Sequence, residues 1–98
     1  MDNSLTARAE TDKARQYMVQ LCKHMAHKMP AETAGDSGTI TFGAGVCRMS
    51  ADDTGLTVVI EAAAREDRER LAEVVERHIN RFAFREPLSF AWSAGVRE

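Results

Sequence analysis

Leu5, Ala7 and Ala9 alternate with Thr6, Arg8 and Glu10 near the start of the chain. A period of two predicts a short strand with one buried face. The period then changes: Ala14, Tyr17, Met18, Leu21 and Met25 recur every three or four residues, which places them on one stripe of a helix. Thr11 offers an N-cap hydroxyl, while Asp12 and Lys28 carry the charges that suit the two ends of a helix dipole. The helix is therefore expected from Asp12 to Lys28, with Pro30 stopping it. Residues 31–38, with Gly35, Asp36, Ser37 and Gly38, read as a loop.

Thr39-Ile40-Thr41-Phe42 and Val46-Cys47-Arg48-Met49 flank Gly43-Ala44-Gly45, whose glycines are free to adopt positive φ, the mark of a hairpin. Ile40, Phe42, Cys47 and Met49 are expected to face inward. After the turn signal Asp52-Asp53-Thr54-Gly55, Leu56, Val58 and Ile60 alternate with Thr57, Val59 and Glu61, completing a three-stranded meander. A second helix is predicted from Arg65 to Arg81, with Leu71, Val74, Val75, Ile79 and Phe82 on its apolar stripe. Its pairs Arg65/Glu69, Glu66/Arg70 and Glu73/Arg77 stand one turn apart with opposite charge, as on a solvated face. Beyond Pro87, Leu88, Phe90 and Trp92 alternate with Ser89, Ala91 and Ser93 as a last strand.

The order is thus β-α-β-β-β-α-β in a single domain spanning residues 1–98. Two helices that cannot hide their stripes alone, and strands each with one apolar parity, predict an α+β two-layer sandwich. Both helices pack on one face of a mainly antiparallel five-stranded sheet. The other face carries Thr39, Thr41, Arg48, Thr57, Glu61, Ser89 and Ser93, with Val59 and Ala91 among them. It is polar enough to stand in water and also offers a surface for a homodimer.

Composition narrows the function classes. With 13 basic residues against 15 acidic ones, the chain lacks the excess of Lys and Arg that drives nonspecific nucleic-acid binding. No apolar run approaches the ~20 residues that span a bilayer. The N-terminus shows no basic region followed by an apolar stretch, so a cytoplasmic location is expected. In that setting Cys22 and Cys47 are expected as free thiols.

The chemistry-bearing side chains gather in two places. Cys22-Lys23-His24-Met25-Ala26-His27-Lys28 ends the first helix, and His78 lies on the apolar stripe of the second. Residues two apart on a helix do not face each other, so Cys22 falls on the opposite edge from His24, and His27 points further outward. His24 and His78 are left as a pair that can meet where the helices adjoin. As core architecture, His78 would donate to a backbone carbonyl or to Tyr17. As a site, the two imidazoles would bind a ligand together with Lys28, Arg81 and Arg85. Arg81 and Arg85, four apart, suit an anionic group, with Glu86 and the helix carboxylates as competing partners. A metal or haem centre would use His24 and His78, joined by His27 or Cys47, although neither metal nor cofactor follows from a recognised ligand spacing. No nucleophile–base pair or carboxylate pair is legible, which favours a non-enzymatic binding domain.

Gln20-Leu21-Cys22-Lys23-His24-Met25-Ala26-His27-Lys28 and His78-Ile79-Asn80-Arg81-Phe82-Ala83-Phe84-Arg85-Glu86 resemble a bacterial family, domain of unknown function 2218. In that family the first motif usually reads Cys-Lys-His-Trp-x-His-Lys, so Met25 replaces an aromatic. A Gly-x-Cys element like Gly45-Val46-Cys47 lies between the two motifs. Members occur alone or attached to siderophore-interacting flavin reductases. The resemblance implies an accessory role in siderophore or iron metabolism, with such a reductase or a small ligand as partner, and it carries over no catalytic residue.

Overall fold

The computed structural model describes residues 3–83 and 85–94. In chain order the elements are β1 (Ser4–Glu10), α1 (Ala14–Met25), β2 (Ala31–Ala34), β3 (Ser37–Thr41), β4 (Val46–Ala51), β5 (Gly55–Glu61), α2 (Arg65–Phe82) and β6 (Ser93–Ala94). The strands form one antiparallel sheet in the order β2-β3-β4-β5-β1-β6. Both helices cover one of its faces, so the two-layer α+β architecture stands as expected. No helix among the described residues is long and apolar enough to cross a membrane.

The strand inventory differs from the expectation at both edges of the sheet. Residues 31–34, expected as loop, form β2, and Ala34 pairs with Ser37 around Gly35-Asp36. Gly35 has φ of 61°, and Asp36 is not at positive φ. Glycine at the first of two central positions is the pattern of a type II′ hairpin turn. Leu88 to Trp92, expected as the last strand, keep their alternation, with Leu88 and Phe90 buried and Trp92 half-buried. Ladder pairing is confined to Leu5↔Ala94 and Thr6↔Ser93. Asn80 of α2 takes the place of a neighbouring strand at Leu88: its amide donates to the Leu88 carbonyl at 3.1 Å and its oxygen accepts from the Leu88 N–H at 2.7 Å.

Helix α1 is shorter than the charges at its ends imply. Thr11 does not cap it; its Oγ1 accepts from the Lys13 N–H at 3.0 Å and its backbone N–H donates to the Thr54 carbonyl at 3.0 Å. Thr11 therefore ties the chain to the β4–β5 turn, and Asp12 stays outside the helix. At the other end the Thr41 N–H donates to the Pro30 carbonyl at 2.9 Å, drawing the chain into the sheet. Residues 26–28 turn rather than extend the helix. Helix α2, by contrast, matches its expected span to one residue. Its Arg65–Glu69 pair forms at 3.2 Å, while Arg70 turns to Asp67 at 3.3 Å in place of Glu66.

Met18, Leu21, Ile40, Leu56, Val58, Ile60, Val75, Ile79 and Cys47 are the largest fully buried side chains, drawn from both helices and the central strands. On the opposite face, register aligns Thr39, Arg48, Val59, Thr6 and Ser93 in one row across the sheet. Arg48 pairs there with Glu61 at 3.0 Å.

A clasp closes the end of β1. The Arg8 guanidinium donates to both Asp52 oxygens at 3.0 and 3.1 Å and also to Thr54 and Thr57. These bonds, with those from Thr54 and the Gly55 N–H, hold the Asp52 carboxyl well below the usual carboxylate range. A carboxylate depressed in the folded state contributes stability that is complete above its unfolded pKa of about 3.9. That stability declines as pH falls toward the folded value. Thermal melts should therefore show Tm dropping below about pH 4, with a shallower drop in Asp52→Asn; identical acid limbs would rule the clasp out as the cause.

Candidate functional site

The two helices bring His24 and His78 together. His24 stands in the last turn of α1 and His78 one turn before the end of α2. Their ring centroids are 5.6 Å apart with the planes tilted by 44°. Phe82, the last residue of α2, meets the His24 ring edge-on at 6.1 Å. The spacing follows from helical geometry, since His78 and Phe82 are four apart and stack along one edge of α2. Phe82 reads in the sequence as core alone; its place one turn beyond His78 is the signal that it also borders the pair.

The two imidazoles differ in surroundings. His78 is half-buried and its Nδ1 lies 2.7 Å from the Val74 carbonyl oxygen. A carbonyl only accepts, so Nδ1 carries the proton and donates, and Nε2 is the nitrogen left for another partner. The core reading of His78 is thus realised through Val74 and not through Tyr17, and it leaves the ring meeting its neighbour. His24 is exposed, and neither of its nitrogens has a hydrogen bond among the described residues. Each helix end also presents its negative dipole pole there, which favours cationic side chains.

Lys28, Arg81 and Arg85 are exposed around these helix ends. Arg81 lies in the last turn of α2 and forms no ion pair among the described residues. Glu86, the expected local competitor, instead lies 3.4 Å from the hydroxyl of Thr11. Phe84, the second aromatic of this segment, lies outside the described residues.

The remaining candidate ligands do not join the pair. His27 is exposed in the turn after α1. Cys22 is buried on the other edge of α1, where its thiol donates to the Glu32 carbonyl at 3.8 Å. Cys47 is fully buried in the sheet between Ile40 and Ile60. Burial, with a smaller contribution from Cys22, pushes the Cys47 thiol up to about 12. Both cysteines are free and buried, and at neutral pH Cys47 is a protonated apolar filler. Among the described residues no group of three or more His, Cys, Asp or Glu side chains is arranged to hold a metal ion.

The profile of domain of unknown function 2218, described as an uncharacterised protein conserved in bacteria, matches residues 6–93. The chain belongs to this family. The domain of unknown function 2218 match spans both histidine-bearing helices and every strand but the ends of β1 and β6. The chain is also similar to PA4090 from Pseudomonas aeruginosa, whose structure was determined by NMR. The two share 29% sequence identity over 92% of this chain and 94% of that one, with a TM-score of 0.80. No curated protein matches the chain.

Proposed function

We propose that the protein is a small binding domain, accessory to iron or siderophore metabolism, whose ligand docks at the seam between His24 and His78. The observation that carries this reading is the 5.6 Å approach of the two imidazoles, with Phe82 beside them. Three ring nitrogens without hydrogen-bond partners among the described residues, both of His24 and Nε2 of His78, and the exposed Lys28, Arg81 and Arg85 suit an anionic, partly aromatic group. A ferric catecholate chelate has that chemistry. The link to iron uptake is supported by the family resemblance. A second reading is favoured by the same pair: His24 and His78 supply two imidazoles to a transition metal whose other ligands come from outside the chain.

Titration with ferric siderophores, followed by amide NMR shifts, should perturb residues around His24, Lys28, His78, Arg81 and Arg85. His24→Ala combined with His78→Ala should weaken binding about tenfold or more, as expected for two hydrogen-bonding groups. The double variant should keep most of its stability, because neither ring is in the core. Shifts elsewhere, or no response to any ferric chelate, would exclude the siderophore reading. Metal analysis and an absorption spectrum of untagged protein purified without chelator test the second reading, which requires bound metal that is lost in the same variant.

A further inference from the structure

A separate concave site lies on the far side of α2, where the helix leaves the sheet edge incompletely covered. A cavity of about 300 Å³ is lined by Leu5, Ala72 and Trp92 on its apolar floor and by Glu69, Glu73 and Glu76 on its rim. It opens where the sheet ends in β6, which pairs with β1 over only two residues. Trp92 is held in place from two sides. Its Nε1–H donates to Glu76 Oε1 at 3.0 Å, and Phe90 stacks on it with centroids 5.7 Å apart and planes 24° apart.

The apolar floor calls for an occupant, and the rim selects its charge. Glu69 is committed to Arg65. Glu76 accepts from a neutral indole and so keeps its full negative charge uncompensated. Glu73, expected to pair with Arg77, has no hydrogen-bond or ion-pair partner among the described residues. Of the other cations on α2, Arg68 donates to the Ala62 and Ala63 carbonyls at 2.8 and 3.2 Å, Arg70 pairs with Asp67 at 3.3 Å, and Arg77, one turn from Glu73, forms no ion pair among the described residues. Two carboxylates and an indole around an apolar hollow form the complement of a cation on a hydrocarbon stem. The volume lies at the small end for ligand sites, which fits a free small molecule rather than a peptide segment.

We propose that this groove binds a small free aliphatic amine, its ammonium group between Glu73, Glu76 and the Trp92 ring and its stem on Leu5 and Ala72. The site is independent of the histidine seam.

Trp92 is the single tryptophan of the chain, so intrinsic fluorescence reports the groove directly. Titration with n-pentylamine should give a saturable change that n-pentanol, the neutral analogue, does not reproduce. Glu73→Gln should weaken the amine about 2–5-fold, and added salt should weaken it further. Glu76→Gln retains an acceptor for the indole and should weaken binding to a similar degree without moving the unliganded spectrum. Four results would overturn the proposal: equal binding of pentanol, no saturable response, binding of a lysine-containing peptide but not of free amine, or binding that appears only after residues 95–98 are removed. The last would assign the groove to the chain's own terminus, which carries Arg97.

Discussion

Gly45→Ala is expected to lower the unfolding free energy by about 3 kcal/mol, the upper end of the range for overpacking, because the obstruction is backbone. A Cβ at this position would run into the Glu61 carbonyl oxygen, and would stand 2.8 Å from Ala62 Cβ and 3.0 Å from Leu71 Cδ1. Phe42 and Gly45 exchange both backbone hydrogen bonds, at 2.8 and 3.4 Å, across Gly43-Ala44, so the strand cannot swing away without opening the hairpin. For a domain of this size the loss corresponds to a fall in Tm of roughly 12–24 °C. Gly43→Ala is the control: a Cβ there meets nothing within 4 Å, and its effect should stay within about 0.5 kcal/mol. Equal melting temperatures for the two variants would show that close approach is not the reason for Gly45. Gly43 and Gly45 do not use the positive φ open to them in the hairpin, since Gly35 alone among the described residues has it.

Ile79→Ala is expected to cost about 2–5 kcal/mol and Ile79→Val about 0.5–1.5 kcal/mol. Ile79 is fully buried, and its helix faces the sheet through Leu71, Ala72 and Val75 as well. Truncation removes apolar surface and leaves a cavity that packed neighbours only partly close. Against a typical domain stability of about 5–15 kcal/mol, the alanine variant should remain folded but show a clearly lower urea midpoint with little change in slope. Because His78 is the preceding residue, the same variant should also broaden the His78 imidazole signal in NMR spectra. A cost below 1 kcal/mol would mean that α2 does not anchor the core.

The larger elements were legible because each buries one face against a single layer. Helix α2 has Leu71, Val75 and Ile79 at helical spacing, and β5 has Leu56, Val58 and Ile60 at strand spacing, all of them buried. The edges were not legible for the same reason. Strand β2 has no buried residue, with Ala31 half-buried and Glu32, Thr33 and Ala34 exposed, so no period of two marks it. Leu88 and Phe90 carry the period and are buried, but the backbone of Leu88 bonds to Asn80 of α2, because burial of a face does not specify which backbone groups pair. Helix α1 is shorter at both ends than its charges predict, since Asp12 and Lys28 suit a helix that tertiary bonds to Thr54 and Pro30 cut short.

The sequence by itself determined the two-layer arrangement, the inward set of core residues and the separation of Cys22 from His24, because side-chain periodicity is a local property of helices and strands. It also singled out His24 and His78 as the imidazoles able to meet where the helices adjoin. Only the tertiary structure decided that these rings meet, that His78 is held through Val74, that Phe82 borders them and that Cys47 stands apart. It alone exposed the groove at Trp92, whose walls come from β1, α2 and the segment before β6. Residues from elements distant in the chain share a site only through the packing of those elements, and periodicity along one element carries no information about its neighbour's position.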